Sequence, residues 1–186
     1  TEETKFYSKL VSKHATPNTQ IELALSYVDA MRSCPKPPDG LVCQAQNSSR
    51  SITILNEVIQ SHPYNIVARY ARGLNNLYWP TLMGHLPQSQ EDLQFALALT
   101  RVQGTIGSAF IPQAYIALGD VFAKAGKRDD AQNVWKNGLK ATAQTTLLEQ
   151  RLAIPQDKLV SQEENQLRGL GVYVDTNIAI FWQKGR

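Results

Sequence analysis

The side chains that could do chemistry in this sequence are few, and their spacing argues against an active site. His14, His62 and His85 stand far apart, and none falls in the HxxxH or HxxE arrangement that puts two metal ligands on one helical face. They read as surface or loop residues. Glu163-Glu164 and Asp129-Asp130 are adjacent pairs, and neighbours on a helix point apart, so neither makes a paired-carboxylate site. Gly104-x-x-Gly107 lacks the Lys-Ser/Thr of a phosphate loop and the third glycine of a dinucleotide turn. There is no G-x-S-x-G, and neither cysteine has a His or Asn partner placed by motif. The expectation is a non-catalytic protein with no cofactor and no metal.

The cysteines carry information of another kind. Cys34 and Cys43 flank Pro35-Lys36-Pro37-Pro38-Asp39-Gly40-Leu41-Val42, a turn that would bring them together, and the spacing is neither CxxC nor CxxCH. They read as a disulfide closing a short loop, worth roughly 2–3 kcal/mol, or else as two free thiols of a cytosolic protein. The first reading points to a bacterial periplasm or the cell exterior. The sequence opens at Thr1-Glu2-Glu3 without a Met or a signal-peptide pattern. A leader has then been removed, or the sequence starts inside a longer protein.

With 186 residues, 42% of them hydrophobic, the chain can bury a good core. It is expected to be a single domain over 1–186. The net charge is only +3, and the densest basic group, Lys124, Lys127 and Arg128, sits beside Asp120, Asp129 and Asp130. That is a solvated helix end rather than a nucleic-acid surface. No apolar run reaches the ~18–20 residues of a membrane span.

Helical periodicity dominates, without hairpin signals. The first helix is expected over Glu3–Lys13. Thr16-Pro17 opens a second, with Ile21, Leu25, Val28 and Met31 as its stripe, ending at Cys34-Pro35. A third runs to about Ser61 with Ile52, Leu55, Val58 and Ile59 inward, and a fourth from about Asn65 to Trp79. After a Pro80–Pro87 loop, Ser89-x-x-Asp92 resembles a capping box opening a fifth through Leu99. Gly104 and Gly107 break the chain. Thr146–Ile154 and Pro155–Leu167 read as two more helices, giving about eight or nine stacked as antiparallel pairs.

Tyr115, Leu118-Gly119 and Phe122, followed by Ala131 and Trp135, match the template W-x2-L-G-x2-Y…A-x3-F. Gly126-Lys127-Arg128-Asp129 supplies the turn between its two helices. On these residues the sequence resembles the tetratricopeptide-repeat (TPR) family. Ser51-x3-Leu55-x2-Val58-x4-Pro63 fits the second helix of an earlier unit, and Gly73 then falls in the small slot of the next, with Arg69, Arg72 and Asn76 in its other slots. Leu23, Ala24 and Tyr27 mark a first unit. The resemblance implies an all-α, TPR-like solenoid of about three units over 17–143, two of them degenerate. Residues 144–186 are expected to form C-terminal helices and a cap; the apolar tail Val172–Trp182 is either that cap or a binding element.

In TPR proteins the first helix of each unit lines a concave groove. Carried over position by position, the groove residues are Gln113, Ile116, Asp120, Ala123 and Lys124 in the good unit. In the middle unit they are Val67, Tyr70, Leu74, Leu77 and Tyr78, with Asn75 and Asn76 able to bond a bound backbone. Tyr70, Leu74 and Tyr78 lie four apart on one helical face. They form a pocket for a peptide or apolar ligand, or a seat for Trp79, Leu82, Met83 or Phe181-Trp182 of the chain itself. The function implied is an exported, non-catalytic scaffold that binds a protein or peptide partner, with self-association left open. The alternative is a ligand-handling accessory of a periplasmic uptake system, since Tyr78-Trp79-Pro80-Thr81-Leu82-Met83-Gly84 is similar to the T-component TPR proteins of TRAP-type transporters. A helical enzyme is the third class, with no motif in its favour.

Overall fold

The structure is a computed structural model that describes residues 1–36, 39–103 and 110–155. Among these residues there are eight α-helices and no strand. Local chemistry sets three of the starts. In α1 (Glu2–Lys13) the Thr1 hydroxyl accepts from the Thr4 amide at 3.2 Å, and Glu2 and Glu3 sit at the positive end of the helix dipole. In α2 (Pro17–Ala30) Thr16 and Thr19 cap each other's backbone amides, with Pro17 as first residue. After a short 3-10 turn and the cysteine loop comes α3 (Leu41–Ser61), then α4 (Ile66–Leu77), whose Asn65 Oδ1 accepts from the Ala68 amide at 2.9 Å. The remainder are α5 (Leu86–Gln103), α6 (Phe110–Lys124), α7 (Arg128–Ala141) and α8 (Thr146–Leu152). The expected helix over Pro155–Leu167, the Val172–Trp182 tail and the Gly104 and Gly107 break lie outside the described residues.

One start differs from expectation. Helix α5 begins at Leu86, with Pro87 in its first turn, so Ser89-x-x-Asp92 is no capping box. Both side chains are fully buried inside the fold: Ser89 Oγ donates to the Gly73 carbonyl at 2.7 Å, and Asp92 pairs with two arginines of α4. Ser and Asp serve caps and buried polar contacts equally well, and here the pattern could not separate the two.

Consecutive helices pair as α2 with α3, α4 with α5, and α6 with α7, and the pairs stack. Each pair is closed by one small residue on the first helix against a small and a large one on the second. The sets are Ala24 with Ser51 and Leu55, Gly73 with Ser89 and Leu93, and Gly119 with Ala131 and Trp135. Apart from the two glycines, which are also buried, all of these side chains are 0% exposed. A Cβ on Gly73 would stand 2.8 Å from Leu93 Cγ, and one on Gly119 would overlap the Trp135 indole. The tight turn from α6 to α7 uses Gly126 at φ 74°, a left-handed conformation that disfavours side chains.

The middle pair explains its own poor match to the repeat. Where the later unit has Tyr115 and Leu118, it has Arg69 and Arg72. Arg72 reaches Asp92 through Nε at 2.7 Å and a second nitrogen at 2.8 Å; Arg69 adds a contact at 3.1 Å. The Asn56 side-chain oxygen of α3 accepts from Arg72 at 2.6 Å, which ties the cluster to the neighbouring unit. An ion cluster fills the space that aromatic and aliphatic groups fill elsewhere.

The α2 stripe is shifted from expectation. Ile21 and Met31 are buried but Leu25 and Val28 only half-buried, while Ile21 and Ala24 form the core with Leu55, Val58 and Ile59 of α3. Beyond α2, Cys34 and Cys43 stand at disulfide distance, with Cα atoms 5.8 Å apart, so the bridge joins the start of the cysteine loop to the first turn of α3. Asn47 Nδ2 donates to the Cys43 carbonyl at 3.0 Å and braces that turn. Reduction is expected to lower stability by about 2–3 kcal/mol, read as a fall in the urea midpoint of oxidised against reduced protein.

Candidate functional site

The first helices lie side by side, α4 against both α2 and α6, and α6 against α8. This lines up one side of α4 and α6 across the units. In its centre Tyr70, Leu74, Leu77, Ile116 and Ala123 are buried, while Tyr78, Gln113, Asp120 and Lys124 are half-buried around them. Val67, one turn before Tyr70, is 49% exposed. The pattern arises because α4 and α6 pack along this side, so apolar groups between them form a floor and longer polar groups a rim.

Each charged rim residue also holds the fold together. Lys124 Nζ donates to the Leu77 carbonyl at 2.6 Å and the Trp79 carbonyl at 2.7 Å. A cation on α6 thus closes the carbonyl end of α4, where the helix dipole is negative. Asp120 receives Arg151 of α8 through Nε at 2.9 Å and a second nitrogen at 3.1 Å. The aromatic ring of Tyr70 meets Phe110 edge to face, with centroids 4.7 Å apart.

Burial, and then the nearby Asp120 carboxylate, push the Tyr70 phenol well above its ordinary 10.0. The unfolded chain releases this proton near its ordinary value while the folded chain keeps it. The contribution to stability is therefore complete below that value and lost as pH rises beyond it. Unfolding midpoints should fall above about pH 10, and Tyr70→Phe should flatten that part of the alkaline limb.

Three residues expected near the groove turn elsewhere. Ser48 Oγ of α3 donates to Asn75 Oδ1 at 2.5 Å and accepts from Trp79 Nε1 at 2.7 Å. Asn76 Oδ1 lies 2.7 Å from His85 Nδ1, and the His85 and Trp79 rings stack with centroids 4.4 Å apart. Trp79 thus anchors the 78–85 loop to α3 and Asn76 anchors it to α4, while Asn75 turns toward α3. Desolvation in that loop lowers the His85 pKa. Leu82 and Met83 are 74% and 52% exposed at its tip, so neither fills the groove.

Two structural roles escaped sequence reasoning. The strut from Lys124 to α4 crosses 47 residues and has no local signal. Helix α8, in contrast, had one: Leu152-Ala153 follows Leu118-Gly119 by 34 residues (152 − 118 = 34), one repeat length. Among the described residues no His, Cys, Asp or Glu cluster could hold a metal, and no helix is long and apolar enough to cross a membrane.

No protein-family model matches the chain, and no curated protein matches it. Among solved structures it is similar to a thermophilic TPR protein of Thermus thermophilus, with a TM-score of 0.63 over 81% of this chain and 69% of that one, at 18% identity. At that identity the likeness is one of architecture. Together with the three phased helix pairs, it gives the chain its fold: an all-α, TPR-like solenoid.

Proposed function

We propose that the chain is a non-catalytic interaction module that holds a peptide segment of a partner protein along the concave face of α4 and α6. The observation that carries this reading is the face itself. An apolar floor of Tyr70, Leu74, Leu77 and Ile116 is ringed by Tyr78, Gln113, Asp120 and Lys124, with Val67 open beside it. Buried residues fix the floor's shape, so binding falls to Val67, Tyr78 and Gln113, with Asp120 and Lys124 adding charge at the rim. An aromatic with a polar edge beside an aliphatic group suits an amphipathic peptide. The Cys34–Cys43 pair at disulfide distance supports an oxidising compartment as the place of action.

The test is affinity capture from the source organism with wild-type protein and with Val67→Glu/Tyr78→Ala, both checked for unchanged far-UV circular dichroism and melting. Loss of specific partners from the variant is the expected result. Equal recovery by both proteins would mean that the partner surface lies elsewhere.

A further inference from the structure

The Cys34–Cys43 pair joins two helix ends of opposite polarity. Cys34 closes the 3-10 turn (Met31–Ser33) that continues α2, and its Sγ lies 3.9 Å from the carbonyl oxygen of Ala30, the last residue of α2. Cys43 is the third residue of α3, whose N-cap is Gly40, so no side chain caps that end. The backbone at the first end is negative and offers carbonyl acceptors. At the second it is positive and offers amide donors. Negative charge on sulfur is therefore disfavoured at Cys34 and favoured at Cys43.

The side chains around the bridge add to this difference. From Asp29 to Cys43 the charged residues are Asp29, Arg32, Lys36 and Asp39, two of each sign, and Arg32 meets Asp29 at 3.3 Å. Asn47 Nδ2, one turn beyond Cys43, stands 3.7 Å from both sulfurs. Its bond to the Cys43 carbonyl identifies that atom as the amide nitrogen, because a carbonyl oxygen only accepts. The amide has a second N–H for sulfur. Asn47 shares a helix with Cys43, so it stays beside that sulfur when the bridge opens. Both cysteines are half-buried, so access alone does not choose between them.

We propose that the bridge is a site of directional thiol–disulfide exchange, in which a low-molecular-weight thiolate bonds to Cys34 Sγ and Cys43 leaves as the thiolate. The new S–S bond forms as the old one breaks, and the electron pair of the old bond goes to Cys43 Sγ, which takes over the charge of the attacking sulfur. In this mixed disulfide Cys43 is the nucleophile in place: its return to Cys34 Sγ expels the small thiolate and restores the bridge. Full reduction takes a second thiolate, which attacks the small-molecule sulfur of the mixed disulfide, forms the small disulfide and releases Cys34. The Cys34 sulfur takes a proton from water and holds it against the Ala30 carbonyl. The inference does not depend on what the concave face binds.

The test is to mix the oxidised wild-type protein with reduced glutathione, quench at early times with N-ethylmaleimide, and map both cysteines by peptide mass spectrometry. Glutathione on Cys34 with maleimide on Cys43 should exceed the reverse pattern at least about tenfold. Among single-thiol variants, Cys43 in Cys34→Ser should become reactive to iodoacetamide at a lower pH than Cys34 in Cys43→Ser. Asn47→Asp keeps the shape of the side chain but puts a carboxylate in place of the donor, and should slow formation of the mixed disulfide several-fold. Equal labelling of the two cysteines, glutathione mainly on Cys43, or no mixed disulfide at all overturns the proposal. So does an Asn47→Asp rate equal to wild type, or a Cys43 thiol that reacts only at higher pH than Cys34. The trapping uses the folded wild type, so it decides the matter even where a single-thiol variant fails to fold.

Discussion

Asp92→Ala is expected to lower the unfolding free energy by about 3–5 kcal/mol, measured by urea titration of purified protein. The carboxylate is fully buried and is the shared acceptor for Arg69 and Arg72, whose side chains are only 12% and 11% exposed. Removing it leaves Arg72 without its carboxylate partner and Arg69 with only the exposed Glu91 at 3.8 Å, in a contact between α4 and α5 that is largely closed to water, which costs far more than the hydrogen bonds lost. The same reasoning sets the opposite expectation for replacing the whole cluster. Asp92→Leu combined with Arg69→Met and Arg72→Leu removes every buried charge and should recover most of the loss. If Asp92→Ala were neutral, the arginines would have to reach water, and the tight packing of this unit would be misjudged.

The second large effect sits at the α6–α7 contact. Trp135→Ala should cost about 3–5 kcal/mol, because a fully buried indole leaves a cavity and its Nε1 donates to the Ile116 carbonyl at 3.3 Å. Gly119→Ala should cost about 1–3 kcal/mol by overpacking against that indole. The two losses should not add. The first unit already pairs Ala24 with Leu55 in these slots, so Gly119→Ala in a Trp135→Leu background should be much less harmful than in wild type. A double-mutant cycle by thermal unfolding gives the coupling directly, and simple additivity would show that the two side chains do not meet.

The third unit was legible because its contact residues are of the ordinary kind, glycine and alanine where helices touch and aromatics around them. The middle unit kept the phase through Pro63 and Gly73 but hid its contents, since an Arg–Asp–Arg cluster leaves no hydrophobic signature. Ser89 and Asp92 misled for the same reason: polar residues in a periodic segment look like a helix start. Periodicity put Lys124, Asp120, Asn75 and Asn76 on helices, but it could not reveal that the first two act as struts, that Asn75 turns toward α3 or that Asn76 turns toward the loop. Those depend on contacts between units, which sequence spacing does not encode. Helix α8 was under-read, although Leu152-Ala153 one repeat beyond Leu118-Gly119 was there to be seen.

The bridge between Cys34 and Cys43 braces only the first helix pair, and in a stacked array each unit leans mainly on its neighbours. Losing it should therefore fray the array from that end and leave the α4 and α6 surface standing, with native-state hydrogen exchange quickening in α2 and the start of α3 before anywhere else in the later pairs. The redox state of the surroundings would then act on the length of the folded array, as a gauge rather than an on–off switch.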